Sequence, residues 1–104
     1  MKLTRIPDDD WTGGADLAEG EFCWCLDADG NVAALAFWVP GQKTPFEAPI
    51  SPRHNDAGAT WTWSGTLDAP TLSPSVHVQG RRTVDGSSFT IWHGWIRDGE
   101  AVSC

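Results

Sequence analysis

The sequence predicts an all-β domain, a small antiparallel sandwich or rolled sheet, on three observations. Helix signals are nearly missing, since the best helical window, Asp16 to Glu21, is short and broken by Gly20. The apolar stretches either alternate with period two or run for only a few residues. Turn signals recur between them, two of them Asp-Gly pairs of the kind that close tight hairpins. Many short strands with frequent turns give a sandwich or rolled sheet.

The elements follow in order. Residues 1–20 read as an irregular segment. Glu21 to Leu26 alternates, with Phe22, Trp24 and Leu26 on one face and Cys23 and Cys25 on the other. Asp27 to Asn31 is a polar turn, and Val32 to Val39 is the returning strand, stopped by Pro40-Gly41. Residues 40–59 hold Pro40, Pro45, Pro49 and Pro52, so they read as a long Pro-rich surface loop packed by Phe46 and Ile50. A binding loop is the alternative reading, because loops carry function. Thr60 to Ser64 is a short strand, and Gly65 to Pro74 is turn-rich. Ser75 to Thr83, Ser87 to Arg97 and Glu100 to Cys104 form a C-terminal three-stranded meander turning at Asp85-Gly86 and Asp98-Gly99.

Composition limits the function. The 104 residues amount to a single domain, 1–104. A net charge of −7 argues against a nucleic-acid partner, whose phosphates repel an acidic surface. No apolar run is long enough to span a bilayer, so no membrane partner is expected. The early positive charges are not followed by an apolar leader, which points to a cytoplasmic protein. An odd count of three Cys argues against a disulfide framework and for reduced or metal-bound thiols. Oligomeric state is not legible.

The two Asp-Gly turns set a register. In two-residue hairpins the flanking residues pair, so Arg97 opposes Glu100, Trp95 opposes Val102 and His93 opposes Cys104. The turn at Asp85-Gly86 sets Val78 against His93 and Val76 against Trp95. One face then carries Val76, Val78, Phe89, Ile91, His93, Trp95, Val102 and Cys104, and by composition it is the core face. Trp95→Ala is therefore expected to be far more damaging than Trp92→Ala. A bulge at Gly80 would shift the register on its N-terminal side without touching the His93–Cys104 pair.

Cys23 and Cys25 share a strand face, and His93 and Cys104 are neighbours on another. Three thiolates and an imidazole suit tetrahedral zinc in a closed, structural site. The alternative is that the Cys behave as small apolar residues and His93 is a hydrogen-bonded core histidine. A third is a Cys104–His93 nucleophile, for which no oxyanion donors are evident. The seven Trp read mainly as core, with Trp24, Trp61, Trp63 and Trp95 inside. Trp11 and Trp92 are the exposed candidates for a sugar-stacking platform. Asp27-x-Asp29-Gly30-Asn31 lacks the spacing and closing Glu of a calcium loop and reads as a turn. Asp8-Asp9-Asp10 reads as a solvated run.

The segments Trp61-Thr62-Trp63-Ser64-Gly65, Ala69-Pro70-Thr71-Leu72-Ser73-Pro74-Ser75-Val76 and Trp92-His93-Gly94-Trp95-Ile96-Arg97-Asp98-Gly99 are distinctive. Together they resemble a family of small phage and prophage proteins whose members often carry the label "ammonia monooxygenase". The resemblance covers roughly residues 21 to 104 and implies a Cys pair, a Pro-Thr-Leu-Ser-Pro-Ser motif, a Cys-His followed by an Asp-Gly turn, and a later Cys. Here the pair is Cys23 and Cys25, one residue closer than in the family, His93 follows Trp92 instead of Cys, and Cys104 is the later Cys. No activity comes with the resemblance. Pro70 and Pro74 hold the residues before them extended, and Thr71, Ser73 and Ser75 can bond the local backbone, which makes a rigid strand entry. A reactive serine there would need an elbow and a base, and the sequence displays neither.

The expectation from sequence is thus a non-enzymatic phage or prophage accessory protein of unknown process. It would act through a protein partner, either with structural zinc held by Cys23, Cys25, His93 and Cys104 or with those residues as ordinary core and no metal. The alternative is a carbohydrate or small-ligand binding module using exposed Trp. No catalytic residue is assigned.

Overall fold

The computed structural model describes residues 1–7, 17–51 and 60–104. Among these the chain is all-β, with nine strands and no helix. β1 (Thr4–Arg5), β2 (Glu21–Leu26), β3 (Val32–Trp38) and β4 (Pro45–Pro49) form one four-stranded sheet in chain order, β1 parallel to β2 and the rest antiparallel. β5 (Thr62–Gly65) and β6 (Pro70–Ser73) form a hairpin. β7 (Val76–Arg81), β8 (Ser88–Arg97) and β9 (Glu100–Ser103) form the expected antiparallel meander.

The first hairpin follows the alternation of its sequence. Phe22 and Trp24 are fully buried in the main core with Leu35 and Phe37, while Cys23 and Cys25 join a smaller cluster with Leu17, Ala34 and Ala36 on the opposite face. The turn closes because the Asp27 carboxylate accepts the backbone N–H groups of Asp29 and Asn31, both at 2.9 Å. Polar chain bonding to its own backbone accounts for the Asp-rich turn without a cation.

Three stretches read as loop, turn or irregular segment contain strands. In the 40–59 stretch, β4 pairs along the outer edge of β3 from Ala34↔Pro49 to Trp38↔Pro45. Its prolines stand at the two ends of an edge strand, where a missing N–H is tolerated. In the turn-rich 65–74 stretch, β6 begins at Pro70, again a first position, and pairs with β5. The irregular 1–20 segment likewise contributes β1, whose Thr4 N–H bonds the Gly20 carbonyl at 2.7 Å. Asp8 to Asp10, Trp11 and Pro52 lie outside the described residues.

In the meander, the Asp98-Gly99 turn places both residues at positive φ, 48° and 77°. It delivers the expected register: Arg97↔Glu100, Ile96↔Ala101, Trp95↔Val102. The other turn differs. Arg82 donates to Ser87 at 2.8 Å and Gly86 donates back to Arg82 at 2.9 Å, so the loop spans Thr83 to Gly86 rather than two residues. Val84 is left 94% exposed. The Ser87 hydroxyl and N–H hold the Asp85 carboxyl below its ordinary pKa.

A second difference decides which side chains face inward. Val78 pairs with Trp92, but Gln79 pairs with Thr90, so Ile91 is an extra residue in β8. A one-residue slip transfers every side chain beyond it to the opposite face. Val76 and Val78 therefore share the core face with Trp92, Gly94 and Ile96 of β8, joined from β9 by Ala101. His93, Val102 and Cys104 are exposed and Trp95 is half-buried. The core-face assignment made from the turns holds for Val76 and Val78 of β7 but is inverted for β8 and β9, and Trp92 is not an exposed platform. Gly80, the suspected bulge, owes its small size to the Phe89 ring, which stands 2.6 Å from where a Cβ would lie.

Trp92 is seated at 7% exposure, edge-on to Phe37 at 5.8 Å, with its indole N–H donating to Ser103 Oγ at 2.9 Å. It crosses Gly94, where a Cβ would lie 2.3 Å from the indole and 2.4 Å from the Val102 carbonyl oxygen. Only glycine permits that crossing.

Candidate functional site

The proline pair of the Pro70–Ser75 segment delivers Ser75 to the mouth of β7, one residue before the strand begins. Ser75 is partly buried, and its backbone carbonyl accepts the Trp61 indole N–H at 3.2 Å. Trp61 is itself fixed. It is 7% exposed, meets Phe46 edge-on at 5.9 Å, and its own N–H bonds the Pro49 carbonyl at 2.9 Å. The Pro-rich stretch thus acts as a brace for Ser75. Trp61→Phe keeps the packing and removes the donor. It is expected to lower the unfolding free energy by about 1–2 kcal/mol, which thermal melts of the variant would check.

The bulge supplies the partner. His77 and His93 are cross-strand neighbours on the exposed face of the meander. The Ser75 hydroxyl meets His93 Nε2 at 3.1 Å. The His77 ring lies against that of His93 with centroids 4.9 Å apart and planes inclined by 33°. His77 Nε2 is bonded to Thr90 Oγ1 at 2.7 Å. A short row of Ser75, His93, His77 and Thr90 therefore crosses β7 and β8 in the open.

The four residues expected to bind zinc fall elsewhere. Cys23 and Cys25 are buried on the face of the first sheet turned away from the main core. His93 and Cys104 stand on the outer face of the meander, with the Cys104 N–H donating to the His93 carbonyl at 3.0 Å. The main core, which Phe22 and Trp24 share with Val76 and Ile96, lies between the two pairs. The structure brings His93 and Cys104 together and the Cys pair together, but not one pair to the other. Among the described residues no group of three or more His, Cys, Asp or Glu is placed to hold a metal ion. None of these residues forms a helix long and apolar enough to cross a membrane.

A serine hydroxyl hydrogen-bonded to the Nε2 of an imidazole is the nucleophile–base pairing of serine hydrolases. Residues 9–104 match the family model described as bacterial ubiquitination-like system serine protease (BubE), and the chain belongs to that family. No curated protein and no solved structure matches the chain. The family description overturns the expectation of a non-enzymatic phage or prophage accessory protein, and with it the sugar-binding alternative. It also leaves the monooxygenase label without support.

From sequence, a reactive serine in the Pro70–Ser75 segment is set aside for want of an elbow and a base. The imidazole that meets Ser75, His93, is placed on the inward face by the assumed register. The signal that points to it is the pair His77 and His93, which only a bulge makes neighbours.

Proposed function

We propose that this chain is a serine peptidase that cleaves a protein substrate within a bacterial ubiquitination-like pathway, with Ser75 as nucleophile and His93 as general base. The observation that carries this reading is the contact from the Ser75 hydroxyl to His93 Nε2 at 3.1 Å, within the range a general base needs. The family description supports the reaction class and a protein substrate.

The chemistry follows from the two groups. Ser75 Oγ attacks the scissile carbonyl carbon, and its proton passes to His93 Nε2. The C–N bond of the tetrahedral intermediate breaks as His93 returns that proton to the leaving amine. Water then attacks the acyl-enzyme, giving one proton to His93 and its oxygen to the acyl carbon. Ser75 recovers its proton from His93, and the substrate departs as a carboxylic acid. The exposed face of the meander leaves room for a polypeptide to approach, unlike a closed cavity made for a small molecule.

A fluorophosphonate probe with mass-spectrometric mapping tests the assignment. The expected result is a single adduct on Ser75, lost in Ser75→Ala. An unlabelled parent protein, or an adduct retained in Ser75→Ala, would overturn it.

A further inference from the structure

We infer that His77, fixed by Thr90, is the positioning residue for His93, taking the place a carboxylate holds in an acid-bearing triad. The inference rests on the reading of Ser75 and His93 as nucleophile and base. A base works when a third group orients it, because a free imidazole samples rotamers in which Nε2 leaves the nucleophile. Among the described residues no carboxylate hydrogen-bonds His93. What stands against the ring instead is a second imidazole, with centroids 4.9 Å apart.

Two independent features hold that second ring. Its place opposite His93 comes from the backbone, since His77↔His93 is a direct cross-strand pair and such pairs bring Cβ atoms to about 4.5–5.5 Å. Its rotation is fixed by the bond from Nε2 to Thr90 Oγ1 at 2.7 Å. With His77 tethered, turning His93 away from Ser75 drives one ring into the other, so the contact to Ser75 is the arrangement that survives. The Ile91 bulge links these features, because Thr90 lies on one side of it and His93 on the other. A stacked ring restricts the plane of the base, whereas a carboxylate bonded to Nδ1 also selects its tautomer.

The test uses the full chain, a fluorophosphonate probe for the nucleophile and p-nitrophenyl acetate for turnover. His77→Ala is expected to slow labelling of Ser75 by about 10–100-fold, with the loss in kcat and KM changed by less than about twofold. Thr90→Val should slow it by about 3–10-fold, while Thr90→Ser, which keeps the hydroxyl, stays within about twofold of the parent. His77→Phe restores a flat ring and should recover most of what His77→Ala loses. Both positions are exposed, so melting temperatures should move little, and a folded His77→Ala protein that labels slowly supports the inference. Labelling of His77→Ala at the parent rate, or Thr90→Ser as slow as Thr90→Val, would overturn it. The two readings fail separately. A parent labelled on Ser75, silenced by His93→Ala and indifferent to His77→Ala, removes only the positioning role. A parent that takes no label at Ser75 removes both.

Discussion

Ser75→Ala and His93→Ala are each expected to lower the turnover of p-nitrophenyl acetate by at least about 10⁴-fold, and the double variant should be no worse than the poorer single one. The size follows from the division of labour. Without the hydroxyl there is no acyl-enzyme. Without the imidazole the hydroxyl keeps its proton and attacks as a poor nucleophile. Because each loss disables the same step, the effects do not multiply. Both side chains are outside the main core, so the variants should fold as the parent does. Cys104→Ser is the contrasting measurement. Its thiol shares the outer face with His93 but is not bonded to it, and turnover should stay within about threefold of the parent. Multiplying losses in the double variant would show that Ser75 and His93 act independently. A collapse of activity in Cys104→Ser would point to a thiol nucleophile.

Trp92→Ala should be the most damaging of the tryptophan substitutions in the meander, costing about 3–5 kcal/mol, whereas Trp95→Ala should cost about 1 kcal/mol. This ordering reverses the one that the turn-based register gives. Trp92 fills the core against Phe37 and satisfies its N–H on Ser103, so truncation opens a cavity and strips a hydrogen bond together. Trp95 is half-buried on the outer face, with the Arg97 guanidinium 4.5 Å from its ring centroid, a modest contact in water. In a domain this small each kcal/mol moves the melting midpoint by about 4–8 °C, so the two variants should separate by more than about 8 °C. Equal midpoints would contradict the observed inward face of β8.

The contrast shows how much of the molecule was legible from its residues. The Phe22-Cys23-Trp24-Cys25 alternation states its own two faces, because side chains on a strand have period two and nothing interrupts it. The Asp98-Gly99 turn is equally explicit, since that dipeptide adopts positive φ readily and fixes the residues beside it. Asp85-Gly86 is the same dipeptide in a longer loop, and no local feature distinguishes the two settings. The bulge at Ile91 leaves no composition signal either, and the glycine that drew attention serves the Phe89 ring instead. The site inherited this gap. A serine of the Pro70–Ser75 segment and His93 are considered for their chemistry, His77 is not, and their meeting depends on a register shift that only the paired strands record. The four expected metal ligands stand as two separate pairs for a related reason: shared faces within each hairpin say nothing about which way the hairpins turn toward one another.

Ile91 gives this fold an unusual kind of dependence. Its side chain packs at the margin of the core, and a conservative exchange for Val or Leu should disturb little. Its place outside the ladder is another matter. Drawn in opposite Val78, it would set Trp92 against His77 and His93 against Val76, so that Trp92 faced water and His93 faced oil, with no change of composition. The separation of greasy interior from histidine-bearing exterior is therefore kept here by one residue that stays unpaired. Length variation is tolerable in the loop from Thr83 to Gly86, which the flanking Arg82–Ser87 bond closes off from the strands. Loss of Ile91 itself would leave Gln79 against Thr90 and Val78 against Trp92, a regular ladder with the same faces. In this protein the residue that a strand leaves out of its pairing decides which side chains stand outside as much as the identity of any one of them.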